Sequence, residues 1–271
     1  MEDELNPIST DTLCAAFAYA MGIEPPACAA APNGDLTALI DASLGGGKAD
    51  RVFLFNPDAI PQWILRKYPA LFRGLDTDEF RKVPLRTVMP SVTPVCFGTI
   101  YTGAQPEVHG IRRYEKPVIR IDTIFDALIR AGKKPVILAT DDCSMSKIFL
   151  EREMDCFIYP TEAEADAKCA ELILKDEYDF IVLYNGNYDT VMHRTGPESV
   201  DALGELRANV ETFLMFDAMI REHWKEHSTL LGFAMDHGAH EIDGKLGSHG
   251  LDMPEDLNIT HFYRAAPAAG K

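Results

Sequence analysis

Hydrophobic residues occur in short runs along the chain, and polar or turn-forming residues bound each run. Runs of this length and composition predict buried β-strands at residues 51–55, 135–139, 180–184, 229–235 and 259–263. Between the runs, apolar residues recur at helical spacing, which predicts helices over residues 121–131, 161–175 and 199–227. Strands and helices therefore alternate along the sequence.

This alternation predicts an α/β protein, because a helix crosses over between consecutive parallel strands. We expect a three-layer α/β/α sandwich with a mostly parallel central sheet. Proline- and glycine-rich segments break up residues 1–48 before the first convincing strand, which predicts an N-terminal helical extension packed on the core. Residues 49–271 are then expected to form a single domain without a large cap.

Two threonines are predicted to begin helices. Thr161 lies three residues before Glu164, which is the spacing of a capping box. Thr93 precedes Pro94, a residue favoured in the first helical turn, so Thr93 is predicted to be an N-cap. The free N–H groups of a helix N-terminus favour anions, so Thr93 is either a simple cap or a hydroxyl nucleophile beside a phosphate.

The composition is that of a water-soluble domain with an acidic balance. Lys and Arg number 26 against 42 Asp and Glu, a formal net charge of −16, which argues against a nucleic-acid polymer or an anionic membrane as partner. The acidic segment Met1 to Asp11 lacks the basic region of a secretory signal, and the six cysteines form no Cys-x-x-Cys pair. We therefore expect a cytoplasmic protein with reduced thiols.

Side chains that can bind a metal follow several of the predicted strands: Asn56, Asp58, Asp189, His193, Asp236, His237 and, in a glycine-rich segment, His249. The carboxyl ends of parallel strands meet at one edge of a sheet, so we expect these side chains to converge. A mixture of Asp and His suits zinc or manganese better than calcium. Taken singly, each Asp could instead cap a helix, and their joint position is what favours a metal site.

The order of the motifs resembles a known family. Thr93 is followed by Thr-Gly at 102–103 and Pro-Glu-x-His-Gly-Ile at 106–111; then come Asp-x-x-x-His at 189–193, Asp-His-Gly at 236–238 and Gly-x-His-Gly at 247–250. Together they resemble the alkaline phosphatase superfamily, and within it the type I phosphodiesterase and nucleotide pyrophosphatase branch, over residues 50–262. The resemblance implies an alkaline phosphatase-like catalytic domain that binds two divalent metal ions, usually Zn²⁺, with Mn²⁺ as the alternative.

Carried over by residue, the resemblance assigns one metal to Asp58, Thr93, Asp236 and His237 and the other to Asp189, His193 and His249. It also implies that Thr93 is the nucleophile and passes through a phosphothreonine intermediate. The expected substrate is a small phosphate ester or phosphonate, because the chain has little room for a cap that recognises large molecules.

The sequence departs from the pattern of this branch at several positions. Ala59 follows Asp58 where the family has glycine, and Asn56 is an alternative first ligand. Cys96 occupies a position at which we expect a phosphate-binding asparagine, and a thiol is a poor replacement because it is a weak donor. Lys147 is either a substrate contact or a solvated lysine.

Several functions remain open at this point. A phosphodiesterase or nucleotide pyrophosphatase-like hydrolase is the first, and a phosphonoacetate hydrolase-like enzyme or a phosphomonoesterase is the alternative. A phosphomutase would need an inserted cap to retain its intermediate, and a sulfatase would need a Cys-x-Pro-x-Arg sequence that is missing around Thr93. A non-catalytic binding protein that keeps the fold is the remaining possibility.

Overall fold

A computed structural model describes residues 4–270 and shows a central seven-stranded sheet in the order β2-β9-β6-β1-β5-β3-β4. The first five strands along the chain are β1 (Arg51–Pro57), β2 (Arg81–Arg86), β3 (Pro135–Thr140), β4 (Asp155–Tyr159) and β5 (Phe180–Asn185). The remaining strands are β6 (Thr229–Phe233), the hairpin pair β7 (His240–Ile242) and β8 (Leu246–Ser248), and β9 (Asn258–Ala266). The mostly parallel sheet predicted from the alternation is confirmed.

Helices cover both faces of the sheet, which confirms the three-layer α/β/α sandwich. One layer contains α1 (Thr12–Met21), α4 (Thr93–Thr102), α6 (Ile124–Arg130) and α7 (Met145–Ile148), and the other contains α8 (Glu162–Lys175), α9 (Asn187–Thr195) and α10 (Val200–His223). The shorter or peripheral helices are α2 (Gly34–Leu44), α3 (Gln62–Lys67), α5 (Pro106–His109) and α11 (Pro254–Leu257), and a single 3-10 turn spans Pro69–Phe72.

The central strands are buried on both faces by aromatic packing. Phe53 on β1 packs against Phe213 of α10, with ring centroids 6.3 Å apart, whereas Phe180 on β5 packs edge-on against Phe17 of α1 at 6.2 Å. Helix α1 is almost wholly buried and belongs to the same hydrophobic core as the sheet. The predicted boundary between an extension at residues 1–48 and a catalytic domain at 49–271 stays a prediction, and residues 1–3 and 271 lie outside the described part.

The predicted strands are all present, but the sheet contains more than was predicted. Strand β9 runs antiparallel to β6 and β2 antiparallel to β9, so this side of the sheet is mixed. Alternation cannot reveal strand direction, and the β6–β9 connection lacks a long crossover helix. Strand β2 was not predicted, because its charged residues and Pro84 interrupt the apolar pattern of a buried strand. Such a sequence is compatible only with an edge strand.

The two predicted helix starts differ from expectation in detail. Thr161 caps α8 by accepting a hydrogen bond from the Glu164 amide at 3.3 Å, but the Glu164 carboxylate accepts from the Thr161 hydroxyl instead of closing the box on the backbone. Thr93 is the first residue of α4, and Val92 occupies the N-cap without a side-chain cap. The N-cap assignment of Thr93 is therefore wrong, and its hydroxyl is not used for capping.

Across residues 4–270, no helix combines the length and the apolar character required to cross a bilayer. All six cysteines are free thiols. The predicted cytoplasmic location stays a prediction.

Candidate metal centre

Three of the predicted ligands meet at the carboxyl ends of the neighbouring strands β1 and β6. Asp58 directly follows β1, and Asp236 and His237 follow β6 by three and four residues. His237 Nε2 lies 3.4 Å from Asp58 Oδ1 and 3.3 Å from Asp236 Oδ2. All three side chains are almost completely buried, and we call them the buried group.

The other three predicted ligands form a second cluster nearby. Asp189 and His193 lie one turn apart on α9, and His249 follows the hairpin strand β8. Asp189 Oδ1 is 3.2 Å from His193 Nε2 and 3.4 Å from His249 Nε2, and the two histidine Nε2 atoms are 3.2 Å apart. We call these residues the outer group, because the side chain of His193 is 40% exposed.

Thr93 lies next to the buried group. Its Oγ1 is 3.3 Å from Asp58 Oδ2 and 3.4 Å from His237 Nε2. At the first position of α4, its hydroxyl makes no capping bond, so it is available to the cluster. The sequence-predicted set of Asp58, Thr93, Asp236 and His237 is thus brought together in space, separately from the other three residues.

Two glycines allow the loops that carry the ligands to approach so closely. A Cβ on Gly238 would lie 2.0 Å from the carbonyl oxygen of Glu255, and a Cβ on Gly247 would lie 2.4 Å from Met192 Sδ. Both glycines flank histidines of the site. Because both residues lack a side chain, the loop after β6 can pack closely against α11, and the β7–β8 hairpin can pack closely against α9.

The backbone orients all three histidines in the same way. Nδ1 of His193, His237 and His249 lies 2.9 Å from the carbonyl oxygens of Gly247, Gly238 and Ser91, respectively. A carbonyl oxygen only accepts, so each Nδ1 carries a proton and donates it. Each Nε2 is therefore turned toward the carboxylates, which is the usual arrangement of a metal-binding histidine.

The two carboxylates of the buried group also leave one oxygen each without a hydrogen-bond partner. These buried atoms are Asp58 Oδ1 and Asp236 Oδ2. Leaving a buried polar atom unpaired costs on the order of 1–3 kcal/mol, so two such atoms in one place call for a ligand. Donor atoms about 2.1 Å from a tetrahedral zinc lie about 3.4 Å apart, which matches the 3.2–3.4 Å separations within both groups.

Electrostatics in the buried group favour loss of charge when no cation is bound. Burial raises the pKa of Asp58 to about 7, and the charge of Asp189 adds to this rise. Burial and the neighbouring Asp58 raise the pKa of Asp236 well above its ordinary value. Burial also lowers the pKa of His237 far below its ordinary value, so this histidine is neutral. Two close carboxylates with one neutral histidine need a positive charge to stay ionised together.

The outer group balances its own charge. Burial pushes the pKa of Asp189 upward, but the hydrogen bonds from His193 and His249 outweigh burial and hold this pKa below its ordinary value. The bond to Asp189 raises the pKa of His193 to about 9. Burial opposes protonation of His249, yet contact with Asp189 raises its pKa as well. A bound cation would take the place of these protons.

The structure shows where the residues lie whose roles the sequence left open. Both polar atoms of Asn56 are used, because its Nδ2 donates to the Ala234 carbonyl at 2.6 Å and its Oδ1 accepts from Tyr101. Asp58, two residues further, is the one that enters the buried group. Cys96 is completely buried, and burial raises the pKa of its thiol. The side chain of Lys147 pairs with Asp142 at 3.2 Å.

A cavity of about 220 Å³ opens beside Thr93, Asp58 and Asp189. Its other lining residues are mostly polar and include Tyr114, Lys116, Asp141, Asp142, Glu162 and Tyr184. Lys147 and Cys96 are not among the residues that line it, and Lys116 is the basic residue of the lining.

Sequence reasoning missed Tyr184 and Lys116. Tyr184 belongs to the predicted strand at 180–184, where an aromatic residue suggests only core packing. Its hydroxyl nevertheless donates to Asp58 Oδ2 at 2.5 Å. The parallel register pairs Asn56 with Tyr184, so the same strand ends that deliver Asp58 also deliver this hydroxyl. No local signal singles out Lys116, which lies in an irregular segment after α5.

No family model and no curated protein matches the sequence. Solved structures do match. The chain superposes on human ectonucleotide pyrophosphatase/phosphodiesterase 5 with a TM-score of 0.64 and 14% identity, covering 80% of this chain and 88% of that one. Phosphonoacetate hydrolase from Sinorhizobium meliloti 1021, in complex with phosphonoformate, gives 0.54 and 18% identity over 75% of this chain and 62% of that one.

An inactive form of the murine ectonucleotide pyrophosphatase/phosphodiesterase 5, in complex with AMP, gives a TM-score of 0.57 and 17% identity. The match covers 72% of this chain and 58% of the murine one, so the chain spans less than two thirds of that structure. These proteins are members of the alkaline phosphatase superfamily. The predicted resemblance is therefore confirmed at the level of the fold.

Proposed function

We propose that this protein is a metal-dependent hydrolase of small phosphate esters, of the phosphodiesterase and nucleotide pyrophosphatase type, that uses Thr93 as its nucleophile. The observation that carries the proposal is the position of the Thr93 hydroxyl, 3.3 Å from Asp58 and 3.4 Å from His237, beside one of two groups of Asp and His side chains that could hold a metal ion. Such a hydroxyl has no structural task at the start of α4.

The buried group and Thr93 would hold one divalent ion, and the outer group would hold the second. When bound, the two ions would supply Lewis-acid stabilisation of the attacking and leaving oxygens. Zn²⁺ is the ion we propose first, because the donors are Asp oxygens and histidine nitrogens at tetrahedral spacing. Mn²⁺ is the alternative.

The reaction proceeds in two displacements at phosphorus. Thr93 Oγ1 gives its proton to solvent water and attacks phosphorus in line, which forms a phosphothreonine, while the bond to the leaving oxygen breaks and that oxygen takes a proton from solvent. Water then attacks the same phosphorus, the bond between phosphorus and Thr93 Oγ1 breaks, and Oγ1 takes up the proton that the attacking water loses. The bonds from Nδ1 of His237 and His249 to backbone carbonyls keep both rings in one orientation throughout.

The cavity beside Thr93 supports a small substrate. A volume of about 220 Å³ is below the usual range of about 300–1,000 Å³ for ligand pockets. The AMP of the murine structure makes a nucleotide-type phosphodiester the first substrate class to test.

Lys116 on the cavity wall favours a second candidate, a phosphonate that carries a carboxylate. The ligands named for the phosphonoacetate hydrolase structures are of this kind. A simple phosphomonoesterase is the remaining alternative of this class.

A hydrolysis panel tests the proposal. Chromogenic phosphomonoester, phosphodiester, phosphonate and sulfate substrates are compared on the metal-free full chain with added Zn²⁺ or Mn²⁺. We expect metal-dependent hydrolysis of the diester, a loss of at least about 10³-fold in Thr93→Ala, and unchanged metal content. Thr37→Ala on α2 is the control threonine.

Turnover retained by Thr93→Ala would contradict the role of the nucleophile. Absence of free phosphate or phosphomonoester product would favour a phosphomutase. No activity and no rise in melting temperature with Zn²⁺ would favour a non-catalytic protein that keeps the fold.

A further inference from the structure

Tyr184 holds one oxygen of Asp58 in the buried group. Its hydroxyl donates to Asp58 Oδ2 at 2.5 Å, and the Thr93 hydroxyl approaches the same oxygen at 3.3 Å. The other oxygen, Oδ1, has no hydrogen-bond partner and lies 3.4 Å from His237 Nε2. Of the two oxygens of Asp58, Oδ2 therefore accepts hydrogen bonds from hydroxyls, whereas Oδ1 is left without a partner.

The phenol ring is itself fixed. Tyr184 is only 6% exposed, and its ring packs edge-on against Phe97 of α4 with centroids 5.9 Å apart. Its position opposite Asn56 in the β1–β5 ladder sets its backbone, and the Asp58 amide donates to the Asn185 carbonyl at 2.9 Å. Ligand and hydroxyl are thus carried by two paired strand ends that cannot move independently.

Gly186 adds a further constraint on the hydroxyl. A Cβ at this position would lie 2.8 Å from Tyr184 Oη, although the backbone there, with φ of −100°, would accept any residue. Glycine at this position therefore leaves room for the phenol, and the backbone conformation does not require it.

We propose that Tyr184 is a positioning residue that fixes Asp58 with Oδ1 toward the metal and thereby sets the metal affinity of the buried group alone. Within residues 4–270 no Lys or Arg makes a hydrogen bond or ion pair to Asp58, and the hydroxyls that donate to Oδ2 are those of Tyr184 and Thr93. Thr93 is the residue proposed to bind the metal and attack phosphorus, which leaves Tyr184 as the permanent partner. This inference rests on the proposed function for the identity of the ligand.

The test is a Zn²⁺ titration of the metal-free full chain, followed by competition with a chromophoric chelator. The wild type should bind two ions, and the reference variants Asp236→Asn and His193→Ala identify the affinity of each group by removing it. Loss of a partner that orients a metal ligand lowers affinity roughly 10–100-fold. We expect Tyr184→Phe to weaken binding at the buried group by at least about tenfold and to leave the outer group unchanged.

A matched control removes the same kind of bond elsewhere. Tyr178 donates to Asp155 Oδ2, also at 2.5 Å, at the far edge of the sheet. Tyr178→Phe should change neither metal affinity. Gly186→Ala displaces the Tyr184 hydroxyl without deleting it and should weaken the same group to a smaller extent, which decides the matter if Tyr184→Phe folds poorly.

Equal affinities in Tyr184→Phe and the wild type would overturn the positioning role, as would an equal loss at both groups. A wild type that binds fewer than two ions would instead contradict the proposed function. The two failures are therefore distinguishable in one titration.

Discussion

The buried and outer groups lie side by side at one sheet edge, yet their surroundings shift the pKa values of their side chains in opposite directions, toward neutral forms in the first and toward charged forms in the second. The buried group joins two carboxylates to one neutral histidine, whereas the outer group joins one carboxylate to two histidines whose pKa it raises. The first lies within the core, and the second is partly exposed on α9 and the hairpin loop. Without a cation, therefore, the buried group favours the neutral forms of its side chains, whereas the outer group favours the charged forms.

The largest expected effect is a loss of activity, and it should be greater for the buried group, which contacts Thr93, than for the outer group. Asp236→Asn removes a donor of the group that contacts the nucleophile, so we expect activity to fall on the order of 10³-fold and one metal ion to be lost. Asp189→Asn should also lose one ion, with a smaller fall on the order of 10²-fold. Steady-state kinetics together with metal analysis measure both. A larger loss in Asp189→Asn would contradict the proposed assignment of Thr93 to the buried group.

The next effect concerns stability after chelation and has opposite signs in the two groups. At pH 8 in the metal-free protein, Asp236→Asn removes the cost of burying an ionisable carboxyl beside Asp58 and should raise the free energy of unfolding by about 1 kcal/mol. Asp189→Asn leaves His193 and His249 without their carboxylate and should lower it by about 1–3 kcal/mol. With zinc added, both variants should be less stable than the wild type, because each lacks a ligand. Urea denaturation in both conditions measures this, and shifts of the same sign in the metal-free protein would refute the contrast.

The sequence predicts the framework of this site better than its internal geometry. The strand ends that carry Asp58 and Asp236 are visible as apolar runs, because burial on both faces leaves a continuous hydrophobic pattern. Strand direction is not visible, so the antiparallel β9 had to come from the structure. The role of the Tyr184 hydroxyl could not be predicted for a related reason. A tyrosine in a buried strand fits the same hydrophobic pattern whether or not its hydroxyl has a hydrogen-bond partner.

The pH dependence of stability in the metal-free protein should separate Asp58 of the buried group from His193 of the outer group by pH range. Asp58 has a folded pKa raised to about 7, so its stabilising contribution is complete below about pH 4 and is lost as pH rises through 7. His193 has a folded pKa raised to about 9, so its contribution is complete below about pH 6.5 and is lost as pH rises through 9. Asp58→Asn should flatten the curve in the lower range and His193→Gln in the upper range.

Thermal melting from pH 4 to 10 in chelator checks these ranges, with the exposed His223→Gln as control. If the two variants flatten the same range, Asp58 and His193 titrate as one unit, and the distinction between a group that favours neutral forms and a group that favours charged forms fails.

The smallest expected effect comes from backbone strain that only the buried group contains. Ala59 directly follows Asp58 and has a φ of 62°, a left-handed conformation that costs an Ala about 1–2 kcal/mol relative to Gly. Its amide donates to Asp236 Oδ1 at 3.2 Å, so this strained turn joins the two carboxylates of the buried group. The residues of the outer group have no positive φ.

Ala59→Gly should therefore raise the free energy of unfolding by about 0.5–1 kcal/mol, because part of the relieved strain is offset by the greater freedom of Gly in the unfolded chain. The amide and its bond to Asp236 remain, so zinc affinity should be unchanged. Glu151, with a φ of 64° in an exposed loop, is the control: Glu151→Gly also loses the exposed ion pair with Arg120, which contributes little, and should give a similar gain far from the site. A gain for Glu151→Gly alone, with loss of zinc affinity in Ala59→Gly, would show instead that the left-handed Ala59 is needed to hold the two carboxylates together.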